Sequence, residues 1–218
     1  MTRKPPRVPV CLVRTLPLLL FVLFPLISCA DAIGQFQTFV KEIRSATGEF
    51  AQVQVHRDAA EKWRMGKPAT GTFSFLKPGR FIWTYRKPYE QVLQSDGKTL
   101  YIYDKELNQV TTKKLPQAIG SNPADILFGH AGIEKHFSLK EGDAKNGLEW
   151  VSATPNDKES TFQRINIGMK NNLPVSMELY DALGQLSLIQ FTRFEKNPAL
   201  SPARFRFVIP KGVDVFAN

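Results

Sequence analysis

Residues 71–103, GTFSFLKPGRFIWTYRKPYEQVLQSDGKTLYIY, decide the fold of this chain. Phe73 and Phe75 alternate with Thr72 and Ser74, and Phe81, Trp83 and Tyr85 alternate with Ile82 and Thr84. Successive side chains of a strand point to opposite faces, so each run gathers its rings on one face. Lys77-Pro78-Gly79-Arg80 between the runs carries turn residues, and Ser95-Asp96-Gly97-Lys98 places Asp-Gly where a two-residue hairpin wants positive φ. Two hairpins in succession give an antiparallel meander with one greasy, chemically quiet face.

The same alternation spreads in both directions. Strands are expected at 48–57, 71–76, 80–87, 90–95, 99–104 and 109–114, and again at 137–141, 148–154, 161–168, 174–181, 186–195 and 205–209. Asn146-Gly147, Asn171-Asn172 and Ala182-Leu183-Gly184 supply turns. Helical material is confined to two places. Ile33, Phe36, Phe39, Val40 and Ile43 recur at helical spacing and predict a short amphipathic helix over Gly34 to Ser45. Residues 116–128 and 132–137 lose the alternation, and Ala118, Ile119, Ala124, Ile126, Leu127 and Phe128 suit one or two short helices. A mostly β chain of about ten or eleven strands therefore folds as a strongly curved antiparallel sheet, closed or nearly closed, with helices over one opening. A lipocalin-like barrel or a two-sheet sandwich shares the strand pattern, and the helices are what would tell them apart.

The N-terminus reads as an export signal. Arg3, Lys4, Arg7 and Arg14 precede an apolar run from Leu16 to Ile27, followed by the small-residue pattern Ala30-Asp31-Ala32, so cleavage is expected after Ala32 and residues 33–218 form one domain. The apolar run is too short and too interrupted by proline for a comfortable membrane span. A rival reading takes Leu26-Ile27-Ser28-Cys29 as a permissive lipobox that would lipidate Cys29 and anchor the protein. Cys11 and Cys29 are the two cysteines and both precede Ala32, so a chain cut there has no disulfide framework. Removing residues 1–32 takes away four basic residues and one acidic one and lowers the formal charge from +9 to +6. A basic exported surface suits anionic headgroups or acidic partner proteins, or is ordinary solubilising charge, and nucleic acid is not an expected partner.

Motifs for chemistry are missing. The three histidines, His56, His130 and His136, form no H-E-x-x-H, and no cysteine joins them, so no metal site is expected. There is no G-x-S-x-G elbow, Walker loop or G-x-G-x-x-G, and no cofactor is called for. His130 and His136 near Glu134 are the one candidate acid–base pair, with surface or lid-edge positions the plainer reading. What remains is apolar lining: Phe73, Phe75, Phe81, Trp83, Tyr85, Leu100, Ile102, Met177 and Leu179 on the sheet, with Ile119, Ile126 and Leu127 on helices facing them. Such residues fill a core, and crowded rings on a curved sheet also leave apolar space where hydrophobic ligands lodge.

The block from Phe75 through Pro78 to Phe81 and Trp83, then a proline-containing turn at Pro88, then Ser95-Asp96-Gly97-Lys98-Thr99-Leu100 leading an aromatic strand, resembles the LolA family of periplasmic outer-membrane lipoprotein carriers. At the C-terminus Ala203-Arg204-Phe205-Arg206-Phe207 and Pro210-Lys211-Gly212-Val213 look like that family's closing strand and P-x-G-V turn. The resemblance implies an incomplete, unclosed β-barrel with a lid of short α-helices over an apolar cavity. It implies a soluble monomeric carrier, not an enzyme. Such a carrier takes lipoproteins by their acyl chains from an inner-membrane lipoprotein-releasing ABC transporter complex and delivers them to an outer-membrane acceptor. Phe73, Phe75, Phe81, Trp83, Tyr85, Ile126 and Leu127 would line the cavity. The resemblance also implies a basic residue at the end of the first aromatic strand that affects release. Lys77 stands where the family carries arginine, keeping the charge without the planar bidentate donor, and Arg80 is close by. A membrane-anchored acceptor resembling LolB, or a lipid-sensing regulatory domain of the same fold, is the alternative.

Overall fold

The expected meander is the centre of one sheet. The structure, a computed structural model, describes residues 31–58, 60–114, 127, 136–157 and 160–217. Helix α1 (Ala32–Glu42) is followed by β1 (Ser45–Arg57), β2 (Trp63–Met65), β3 (Ala69–Leu76), β4 (Arg80–Lys87), β5 (Gln91–Asp96), β6 (Thr99–Asp104) and β7 (Gln109–Lys114). After the intervening segment come β8 (Phe137–Lys145), β9 (Leu148–Pro155), β10 (Phe162–Lys170), β11 (Leu173–Asp181), β12 (Leu186–Lys196), a single 3-10 turn (Pro202–Phe205) and β13 (Asp214–Ala217). The sheet runs β13-β7-β6-β5-β4-β3-β1-β12-β11-β10-β9-β8, with β2 paired to the far end of β1. It is an unclosed barrel, as expected, with β13 and β8 as its edges.

Four details differ from the sequence reading. Thirteen strands form where ten or eleven were expected, because the three-residue β2 and the wholly exposed β13 have too little apolar pattern to announce themselves. Residues 205–209 are not a strand: Phe205 ends the 3-10 turn and is fully buried where that turn meets β4 and β5. The strand that closes the chain is β13, which pairs with β7 in parallel, the one exception to antiparallel order. Helix α1 begins and ends earlier than its spacing suggested, capped by the Asp31 side chain on the Gly34 N–H, and Ser45 already belongs to β1. The helices expected within 116–137 lie largely outside the described residues, so α1 is the one α-helix of the lid that the structure describes.

Alternation along β1, β3, β4 and β12 stacks an aromatic layer on the face that α1 covers. Phe50 and Trp83 stack at 4.0 Å, Phe73 lies 6.0 Å from Trp83, and Phe191 meets both Phe73 and Trp83 edge-on. Two glycines make room for these rings. Gly71 pairs with Phe50 and Gly48 with Phe73 across the strands, and a Cβ on Gly71 would fall 2.6 Å from Phe50 Cζ, one on Gly48 2.4 Å from Phe73 Cζ. A register shift between Glu49 and Phe50 inserts one extra residue into β12, which turns both Phe191 and Phe194 toward the layer although they are three apart.

Overpacking at these positions has no soft neighbour to absorb it, since a Cβ on Gly71 would also fall 2.0 Å from the Thr84 carbonyl oxygen. Gly71→Ala is expected to cost about 1–3 kcal/mol, read as a lowered urea midpoint with unchanged slope. An unaltered midpoint would show that the Phe50 ring does not rest on the backbone there.

Candidate functional site

The apolar layer and the helix above it are the candidate site. Phe73, Phe75, Phe81, Trp83, Tyr85 and Leu127 are all buried in one cluster with Phe36, Phe39, Phe50, Met177, Leu179 and Phe191. Leu100 joins that cluster and Ile102 packs against it. Ile126 and Ile119 lie outside the described residues, as do His130 and Glu134. His56 and His136 are exposed, and among the described residues no three His, Cys, Asp or Glu side chains gather as a metal site would need.

Hydrogen bonds hold α1 on this layer at both ends. At its start the Ala32 and Ile33 N–H groups donate to the Glu141 carboxylate of β8 at 3.1 and 2.9 Å, and Gln35 Nε2 donates to Glu149 of β9. At its end Lys77 Nζ donates to the Val40 carbonyl at 2.7 Å and Asn197 Nδ2 to the Glu42 carbonyl at 3.2 Å. Between them Phe39 rests on Phe194 and Phe36. The underside of α1 is therefore apolar and slippery, while its fixings are a few polar contacts at the ends.

Lys77 sits at the β3–β4 turn with its ammonium over the Phe39 and Phe75 rings, at 5.4 and 6.0 Å. Burial, with the nearby Arg44 charge, pulls its pKa down to about 8. Arg80 is not beside it: strand alternation turns Arg80 to the face opposite Phe81, where it lies alongside the Gly97 turn, 3.6 Å from the position a Cβ there would take. At the other end of β4 the Tyr85 hydroxyl donates to Gln52 Oε1 at 2.8 Å. Burial pushes this phenol up to about 12, with the adjacent Trp83 N–H and then Gln52 pulling the other way. The sequence reading named Tyr85 for its ring and missed Gln52, a polar residue whose inward direction follows from alternation with Ala51 and Val53 but whose partner lies two strands away.

The opposite face of the sheet is differently built. A groove of about 590 Å³ lies there between Met65, Val53, Leu188 and Trp150. Lys145 spans its rim, ion-paired to Glu178 at 2.6 Å and lying over the Trp150 ring at 4.4 Å. Burial opposes the Glu178 charge, yet hydrogen bonds from Lys145, Asn166 and Tyr180 hold its carboxyl below the usual range. These groups are satisfied by one another and leave no reacting constellation.

An open antiparallel barrel with a buried aromatic face and a helix pinned across it defines a class: single-sheet folds that enclose a broad apolar interior beneath a helix. The model of the family described as outer membrane lipoprotein carrier protein LolA matches residues 41–208, and the chain belongs to that family. It is 50% identical over 186 residues to the outer-membrane lipoprotein carrier protein of Cupriavidus necator, covering 85% of this chain and 88% of that one. The protein of the same description from Dechloromonas aromatica is 39% identical over 195 residues, covering 89% and 92%. In fold, the chain is similar to the crystal structure of an uncharacterized conserved protein from Thermus thermophilus, with a TM-score of 0.50 at 11% identity, covering 86% of this chain and 98% of that one.

The depressed Lys77 pKa has a readable consequence. Between about 8 and the ordinary value of 10.5 the unfolded chain binds more protons than the folded one, so stability rises with pH across that window. Lys77→Met is expected to flatten this rise, seen as the difference between the two proteins' denaturation midpoints from pH 7.5 to 10. Parallel curves would mean the ammonium is solvated.

Proposed function

We propose that this protein is exported to the periplasm and ferries lipoproteins, bound by their acyl chains, from the inner membrane to the outer membrane. The observation that carries the reading is the continuous buried aromatic face under a helix fixed by few polar contacts. A single acyl chain of about sixteen carbons costs on the order of 12 kcal/mol to expose to water at ~0.8 kcal/mol per methylene. A lipoprotein therefore crosses an aqueous compartment only if covered. The donor is an inner-membrane lipoprotein-releasing ABC transporter complex, the recipient an outer-membrane acceptor, and the carrier acts as a monomer.

Binding and release then form an exchange. In the empty carrier α1 buries the aromatic face; with cargo, acyl chains take its place and the helix stands off. Apolar contacts are swapped for apolar contacts, which keeps the net free energy small enough for hand-over. Lys77 is the residue that biases this exchange, because its bond to the Val40 carbonyl exists only when α1 is down. Lys77→Leu removes about 1 kcal/mol from the closed state and is expected to slow delivery of a bound lipoprotein to an acceptor or to vesicles roughly fivefold. Arg80→Leu, on the other face, is expected to leave the rate unchanged. Equal rates for all three proteins would remove Lys77 from the release step.

The export signal ends at the start of α1. The expected cut falls after Ala32; the Asp31 cap and the burial of Ala32, 1% exposed, support a cut after Ala30 as the alternative. The intact mass of the periplasmic protein tests this together with the carrier reading. The expected result is a chain beginning at Ile33, or at Asp31 for the alternative cut, with lipoproteins co-purifying in a water-soluble complex. A lipidated Cys29 mass in the membrane fraction would instead make the protein an anchored acceptor.

A further inference from the structure

We propose that the Trp83 indole N–H donates a hydrogen bond to the carbonyl oxygen that joins a cargo acyl chain to its headgroup, making Trp83, Tyr85 and Gln52 the polar pole of the cargo site. The inference rests on the carrier reading and adds to it a point of chemical recognition.

Trp83 is 0% exposed, and among the described residues its Nε1 is the one buried side-chain nitrogen or oxygen without a hydrogen-bond partner. Buried indole N–H groups ordinarily find an acceptor, because an unpaired donor gives up its hydration for nothing. Here the ring is held by its faces and edges. Phe50 stacks on it at 4.0 Å, and Phe191 and Tyr85 meet it edge-on at 6.3 and 6.4 Å. Tyr85 is the adjacent polar group: its proton is committed to Gln52 Oε1, and its oxygen lies near enough for the indole N–H to favour the phenolate without completing a hydrogen bond to it.

An acyl chain has one strongly polar point, its ester or amide carbonyl, which accepts but cannot donate. The site has the matching form. Phe75 and Phe81 form an apolar wall that ends on one side at Lys77 and on the other at Trp83, with Tyr85 and Gln52 beyond. A donor left unpaired in the closed carrier gains its partner when cargo enters, so the bond is made only in the loaded state. Such a bond selects carbonyl-linked chains over bare hydrocarbon, because a site built to pair a polar group rejects a ligand that lacks it.

The test uses the full mature chain labelled with ¹⁵N at its indoles, with the Trp83 signal assigned against Trp63 and Trp150 by its loss in Trp83→Phe. Three probes are titrated in turn: a cysteinyl peptide carrying a dipalmitoyl-ester glycerol thioether, its dihexadecyl ether analogue, and that ether analogue with an added N-palmitoyl group. The expected result is a downfield shift of the Trp83 N–H proton with the ester probe and none with the ether. The wild type should bind the ester about five- to tenfold more tightly than the ether, and in Trp83→Phe the ratio of the two affinities should fall to about one, whatever the change in either alone. Return of the shift with the N-palmitoyl probe would identify the amide carbonyl as an equally good acceptor. Equal affinity for ester and ether with the same Trp83 shift overturns the proposal and leaves the carrier reading intact, a result available from the wild type even if the variant fails to fold. Failure of all three probes to bind overturns both.

Discussion

The aromatic layer on β1, β3, β4 and β12 is the constraint on which the rest of the molecule depends. Rings of this size do not lie flat on a pleated sheet unless the residues beneath them give way, and Gly48 and Gly71 do so by having no side chain. The extra residue in β12 does the complementary job of bringing Phe191 and Phe194 to one side. Together they make one broad apolar face, which Phe39 of α1 meets at Phe194 while the helix itself lies against β8 to β11. The same breadth is what a lipid-modified protein would need from a carrier.

A helix held by its ends over an apolar surface is poised differently from one locked by interdigitated charges. Contacts beneath α1 are those that any hydrocarbon can replace, whereas the bonds at Glu141, Lys77 and Asn197 cannot be mimicked by an acyl chain. In the proposed exchange the apolar layer would set capacity, and the terminal hydrogen bonds how readily the cover lifts. Burial of the Lys77 ammonium among aromatic rings weakens its hold below that of an ordinary lysine pairing, since part of the attraction is spent on desolvation. A loosely held cover suits a protein that must both accept and surrender its cargo.

Much of this was legible in the residues before any coordinates. The alternation of Phe73, Phe75, Phe81, Trp83 and Tyr85 predicts a shared face, and all five are buried in one cluster. Turn chemistry at Asp96-Gly97 and Asn146-Gly147 predicts hairpins that form with positive φ at Gly97, Asn146 and Gly147. By contrast, Phe205 and Phe207 read as strand residues because their alternation is the same whether they pair with a neighbour or pack one at a time. In the fold Phe205 plugs the sheet near β4 and β5 and Phe207 stacks on Tyr101 at 4.7 Å. β2 and β13 were invisible because their few exposed residues owe their pairing to what lies beside them.

The sequence by itself determined the class of fold, the greasy face and the absence of catalytic motifs, because period-two patterning, turn residues and residue chemistry are local properties that need no partner to be read. Tertiary structure alone decided which residues meet. Gln52 reaches Tyr85 across β3, Lys77 reaches the Val40 carbonyl, and the Trp83 N–H is left without an acceptor. Each of these depends on strand register and on where α1 lies, and register is set by the pairing of segments far apart in the chain.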